Sequence, residues 1–241
     1  EASVGTLAFF DIEGRRLRTI YLARMPEALK AQLATDLEQE LQSVLLEQPA
    51  MNVVYASDGA AQQWATLRAI ASRVPANCTG LVMNLVDAFH VAEYIQQAAD
   101  AIFGTDSGEA RIHAATWRET AKQHDGVSRV LRSMRARLGA VSSPARRKQL
   151  VAAIAYIAKQ NAADRMQCAE AIEHNFPIGT GITEAAAKTV VGTRMKRAGA
   201  RFSQHGGQTV MTFRTALLSG RFEALHHHLG ATYQKTVRQA A

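Results

Sequence analysis

The 241-residue sequence contains no apolar run approaching the roughly 18 residues that a membrane-spanning helix needs, and no signal-peptide pattern at its start. It has only two cysteines, Cys78 and Cys168, far apart and without metal-ligand spacing. That excludes a disulfide-framed secreted domain and a cysteine-bound zinc, and it points to a reduced, cytoplasmic protein with no membrane partner. There is no internal repeat and no long low-complexity tract. An initial Met is also missing: a strand-like pattern begins almost directly after Glu1, which suggests part of a longer protein. Acid is scarce in one part only. Residues 1–100 hold 7 Lys/Arg against 12 Asp/Glu, whereas residues 101–241 hold 21 against 9, within a net charge of +7. Such asymmetry points to a polyanionic partner for the second part, most simply nucleic acid, against the plainer alternative of a solvated basic surface.

What is present reads as strands first and helices afterwards. "VGTLAFF" and "RLRTIYLARM" are β-rich runs flanking "DIEG", a hairpin signal. "EALKAQLATDLEQELQSVLLEQ" places Leu29, Leu33, Leu37, Leu41 and Leu45 on one helical face. "MNVVYAS" and "TGLVMNLV" are short buried strands ending at Asp58 and Asp87, with the helix "QQWATLRAIASRV" between them. From Phe89 onward the patterns are helical, with breaks expected near Gly104, Gly126, Ser142-Ser143-Pro144, Pro177 to Gly181 and Gly206-Gly207. A hairpin, a strand–helix–strand unit and then helices alone imply an α/β domain with a helical extension.

Chemistry in open sheets gathers at the carboxyl ends of strands, where Asp58 and Asp87 fall. Each candidate has a plainer alternative. Asp58 before Gly59 can be a turn residue. Asp87 in "VDAFH" can be a helix N-cap, and His90 a satisfied, half-buried imidazole. Glu184 is the one acid of a helix that otherwise carries Lys188, Arg194, Lys196 and Arg197. A carboxylate in a first turn gains about 0.3–1 kcal/mol from the helix dipole without any catalytic role. The "GTG" before it lacks the Lys-Ser/Thr and the preceding strand of a nucleotide loop. His226-His227-His228 cannot all face one metal from a helix and reads as surface. Taken together, strand-end carboxylates and a distant helical Glu beside basic residues suit two divalent metals acting on a phosphodiester.

The segments "PIGTGITEAAAK", "RMKRAGARFS", "GGQ" and "LLSGRF", with "FFDIEGRRLRTIYLARMPEA" and "ASDGAAQQW", resemble bacterial insertion-sequence transposases of the DDE type. The branch is the Kra-type elements, related to Mutator-like transposases, and the resemblance spans nearly the whole chain. It implies an RNase H-like core lacking its first strand (residues 1–100 and 176–205), an α-helical insertion (101–175) and a basic C-terminal helical segment (206–241). It implies DNA transposition, with Asp58 and Glu184 as metal-binding catalytic acids, Asp87 and His90 as supporting residues, and two Mg²⁺ or Mn²⁺ ions in the complete enzyme. Lys188, Arg194, Lys196, Arg197 and Arg201 would contact DNA phosphates. The resemblance further implies element ends and target DNA as partners, a homo-oligomer, and a nucleoid-associated bacterial location. The first acid has no counterpart here, Asp11 being placed in the hairpin turn. The alternative is therefore a non-catalytic DNA-binding remnant.

Overall fold

The computed structural model describes residues 2–26 and 31–240, the side chains of 236–240 excepted. The chain divides into two compact units. One comprises Glu1–Pro49, Arg68–Cys78 and Gly181–Ala241, the other Ala50–Leu67 and Thr79–Thr180.

In the first unit, β1 (Ser3–Phe10) pairs antiparallel with β2 (Arg16–Arg24), from Ser3 opposite Arg24 to Phe9 opposite Arg18, with a bulge at Phe9/Phe10. The "DIEG" turn closes because Asp11 Oδ1 accepts from the amides of Glu13 and Arg15 at 3.0 and 2.8 Å, while Gly14 takes φ 78°. Helix α1 (Ala31–Glu47) packs on this hairpin, with Leu33 and Leu45 buried and Leu37 against Gly5. The start of the expected helix, residues 27–30 with Leu29, lies outside the described residues. Later in the chain come α8 (Gly181–Ala186), a π-helical stretch (Ala187–Gly192) and a short α9 (Thr193–Met195). They are followed by α10 (Gln204–Leu218) and α11 (Phe222–Ala240). Helix α8 packs on β1 and α10 on β2, and Ala23, Val190 and Met211 form a small core.

Gly206 and Gly207 do not break a helix, contrary to their expected role. They lie inside the first turns of α10, whose N-cap Ser203 accepts from the Gly206 amide. A Cβ on Gly207 would stand 2.6 Å from the Met25 sulfur and 3.0 Å from Met195 Cε. The glycine lets helix and hairpin approach closely, a tertiary demand that outweighs its poor helix propensity.

In the second unit, β3 (Val53–Ser57) and β4 (Val82–Val86) pair in parallel, Val53 opposite Val82 and Ser57 opposite Val86. They are connected through α2 (Ala61–Ala71), whose last residues belong to the first unit. Helices α3 (Ala88–Phe103), α4 (Gly108–Ala121), α5 (Gly126–Arg137), α6 (Pro144–Ala162) and α7 (Cys168–Glu173) follow. Breaks fall at Gly104, which takes φ 102°, at Asp125 before Gly126, and at Ser143 with Pro144 in the first turn of α6. Small residues let these helices pack closely: Ala98, Ala99, Ala101, Ala110, Ala114 and Ala153 are fully buried, around Trp117, Met134 and Leu150. The fold is thus mixed α/β with two small two-stranded sheets among the described residues. No described helix is long and apolar enough to cross a membrane.

Candidate functional site

The strand ends of the second unit bring Asp58 and Asp87 side by side. Val86, just before Asp87, stands opposite Ser57, just before Asp58, and the Asp87 amide donates to the Ser57 carbonyl at 2.8 Å. Yet the two carboxylates differ in what surrounds them.

Asp58 is half-buried. Its Oδ1 accepts from the Ala60 amide at 3.0 Å, the local bond of a turn that starts a helix. Its Oδ2 receives only a long 3.4 Å contact from the Gln63 amide. The turn itself is clamped from α6: Tyr156 Oη donates to the Asp58 carbonyl at 2.9 Å and Gln160 Nε2 to the Gly59 carbonyl at 3.4 Å. Gly59 adopts φ 95°, and a Cβ there would lie 2.5 Å from the Tyr156 hydroxyl, so two independent constraints require glycine. Gln160 is held in turn by Arg165, which donates to its Oε1 at 3.1 Å and stacks 4.2 Å over the Trp64 ring. The result is a fixed turn carrying a carboxylate held by one short bond and by two long ones, from the Ser57 hydroxyl to Oδ1 and from the Gln63 side chain to Oδ2, both at 3.4 Å.

Asp87 is 3% exposed and its carboxylate is saturated. Oδ1 accepts from the amides of Phe89 and His90, at 2.7 and 3.4 Å, as the N-cap of α3. Oδ2 accepts from the amide of Thr180 at 2.8 Å and from its hydroxyl. Burial raises the carboxyl pKa, but the Thr180 hydroxyl and amide and the Phe89 and His90 amides outweigh it and hold the pKa below 3.8. The capping alternative therefore describes this residue, extended by a tether to Thr180 across 93 positions.

His90 lies on the first turn of α3 with its side chain 42% exposed and Nδ1 3.7 Å from Glu93. Its ring meets Tyr94 edge-on at 6.3 Å, and Tyr94 stacks on Tyr156 at 3.7 Å. A ladder of rings thus runs from His90 to the residue that clamps the Asp58 turn. Burial, followed by the charge of Tyr94, Asp58, Asp87 and Glu93, drives the Tyr156 phenol pKa far upward, so this hydroxyl is a permanent donor.

Glu184 belongs to the first unit, apart from the unit that carries Asp58. It sits exposed in the first turn of α8, which begins at Gly181. Thr183 is fixed by a 2.7 Å bond to Thr6 of β1, which sets the orientation of that turn. Lys188, Arg194, Lys196, Arg197 and Arg201 are all exposed, and none joins an ion pair among the described residues. The acids of α1 are directed elsewhere: Asp36 pairs with Arg24, Glu38 with Arg73 and Glu40 with Arg221. Arg194 and Arg197, with Arg214, also line an open cavity of about 600 Å³ whose walls include Phe202, Phe213 and Phe222. Arg214 donates through Nε to the Val190 carbonyl at 3.1 Å and through a terminal nitrogen to Thr189, holding the π-helical stretch.

Asp11 is half-buried and fully engaged: besides the two turn amides, Arg15 Nε donates to its Oδ2 at 2.8 Å. The Arg15 side chain and backbone bonds lower its pKa despite some desolvation. His226, His227 and His228 are exposed on α11. Sequence reasoning missed the Tyr156–Gln160 clamp and the phenylalanine-lined cavity. No local signal marks the clamp, whose partners lie 98 and 101 positions from the turn. The cavity has a faint one, in the aromatic residues interleaved with Arg197, Arg201 and Arg214. No group of three or more His, Cys, Asp or Glu is gathered as metal ligands among the described residues. No protein-family model, curated protein or solved structure matches this chain.

Proposed function

We propose that the chain belongs to a DNA-transposing enzyme of the DDE type, built on an RNase H-like core, in which Asp58 and Glu184 bind Mg²⁺ or Mn²⁺. The observation that carries this reading is Asp58, a carboxylate at the end of a parallel strand, on a turn fixed by α6, with one oxygen held only by a long 3.4 Å contact. Divalent hard cations take such oxygens, usually few from the protein and the rest from phosphate and water. Glu184 offers a second carboxylate of the same chemistry, this one exposed. When bound, paired ions would activate the attacking oxygen and stabilise the leaving one in phosphodiester cleavage and strand transfer. Asp58 and Glu184 hold charge for that purpose; the exposed Lys188, Arg194, Lys196, Arg197 and Arg201 bind the phosphate backbone. Asp87 contributes by orientation, since its oxygens are committed to α3 and Thr180. His90, at the open end of the tyrosine ladder, supports the same strand end. A nucleoid-associated homo-oligomer acting on element ends and target DNA completes the reading.

A second reading, DNA binding without cleavage, is favoured by one observation. Asp11 and Asp87 are saturated by internal donors, which leaves two of the four acids, the lightly held Asp58 and the exposed Glu184, to take a metal. Cleavage of supercoiled and element-end duplex DNA, with Mg²⁺ and with Mn²⁺, separates the two. Divalent-dependent nicking that disappears in Asp58→Asn and in Glu184→Gln supports the enzyme. Salt-sensitive DNA binding with no nicking supports the second reading, and a chain that binds no DNA refutes both.

A further inference from the structure

The second unit is almost neutral, with 12 Lys/Arg against 11 Asp/Glu, but its charges are sharply segregated. Residues 126–163 carry eight of the twelve cations and none of the eleven acids. This stretch forms α5 and α6, which pack together. Val127, Val130, Leu131 and Met134 turn one side of α5 into the core. Arg129, Arg132 and Arg135 recur every three residues along its exposed side, spanning about 9 Å at 1.5 Å per residue.

Like charges at that spacing oppose helix formation. No ion pair among the described residues engages any cation of this stretch. Arg129 is held by neutral acceptors, Gln123 Oε1 at 2.7 Å and the His124 carbonyl at 3.5 Å. Arg132 and Arg135, with Ser128 and Asn161, line an open cavity of about 510 Å³. Guanidinium groups backed by neutral hydrogen-bonding side chains match phosphate oxygens in charge and geometry. A lipid surface fits less well, because a membrane-seated helix adds large apolar residues beside its basic ones. No large apolar side chain of α5 is exposed, and on α6 Val151 alone is.

We propose that this α5–α6 face is a second duplex-DNA backbone site, distinct from the basic residues that follow Glu184. The inference rests on the DNA-binding reading above, and one experiment separates their failures. Duplex binding by the full chain is measured by fluorescence anisotropy as a function of salt. The variant Arg129→Gln/Arg132→Gln/Arg135→Gln should bind more weakly, with its log–log salt slope reduced by about 2.7, at 0.9 per lost phosphate contact. The corresponding Arg→Lys triple keeps charge and should retain the slope; loss in both variants overturns the proposal. A slope unchanged in the Gln triple, but flattened by Arg194→Gln/Lys196→Gln/Arg197→Gln, overturns this site and leaves the DNA reading intact. An unmutated chain that binds no duplex overturns both. Unchanged DNA binding with lost binding to phosphatidylserine vesicles overturns it in favour of a membrane surface.

Discussion

Replacing Asp87 tests whether its carboxylate is structural. In Asp87→Ala, α3 loses its N-cap, a loss of about 0.5–2 kcal/mol. The Thr180 amide and hydroxyl lose a buried acceptor, and an unsatisfied buried donor costs about 1–3 kcal/mol. Together these destabilise the second unit by about 2–4 kcal/mol, discounted from the simple sum because Thr180 can turn toward water. Asp87→Asn should recover a large part of this, since Asn caps helices well and keeps one acceptor oxygen. The acid limb supplies an independent check. The Asp87 pKa is depressed on folding, so its contribution is fully present above the unfolded value near 3.8 and is lost as pH falls through the lower folded value. The stability difference between the unmutated chain and Asp87→Ala should therefore shrink as pH drops below about 4. Urea denaturation followed by circular dichroism, at pH 7 and across the acid range, measures both effects. An Ala variant within about 0.5 kcal/mol of the parent, with a parallel acid limb, would refute the assignment.

Two further predictions address neighbouring contacts. Tyr156→Phe removes the donor to the Asp58 carbonyl and should cost about 1 kcal/mol while speeding hydrogen exchange at the Ala60 amide; unchanged exchange would show that the clamp is not what fixes the turn. His124 lies 2.6 Å from Glu173, whose hydrogen bond and charge, with Glu170 and Asp125 adding to them, raise its pKa above 6.5 against slight desolvation. Any stabilisation from this exposed pair is present below pH 6.5 and is lost as pH rises through the higher folded value. In an NMR titration, Glu173→Gln should move the His124 midpoint downward, and identical midpoints in the two proteins would refute the pairing.

The strands and most helices were legible because their signals are local. Asp11 and Gly14 close a hairpin within one turn, and Pro144 starts a helix through its fixed φ in the first turn. The cap at Asp87 could also be read, since its amide partners lie two and three residues away. Its Thr180 partner could not, because nothing in "VDAFH" encodes a residue 93 positions later. Gly207 misled for a related reason: the Met25 and Met195 side chains that demand a glycine come from distant segments. The π-helical stretch has no sequence signature either; its carbonyls are held by Arg214, which reads locally as another surface cation.

The acids singled out from sequence are separated better by hydrogen-bond saturation than by position. Asp58 and Asp87 occupy equivalent strand ends, one residue beyond paired partners, so topology treats them alike. Their environments do not. Four donors converge on Asp87 and three on Asp11, and in both the charged form is stabilised by groups that cannot leave without exposing a cap or opening a turn. A metal recruiting either carboxylate would have to break those bonds first. Asp58 also receives three donors, but two of them, from Ser57 and Gln63, are long at 3.4 Å, and the bonds from α6 that fix its turn go to backbone carbonyls. Holding a residue by its main chain while freeing its side chain is what preorganised binding requires, as the geometry is then set before the ligand arrives. It also explains why α6 contributes a tyrosine and a glutamine at this turn rather than a cation. A Lys or Arg there would satisfy the carboxylate itself and take up the weakly held oxygen on which any role in chemistry depends.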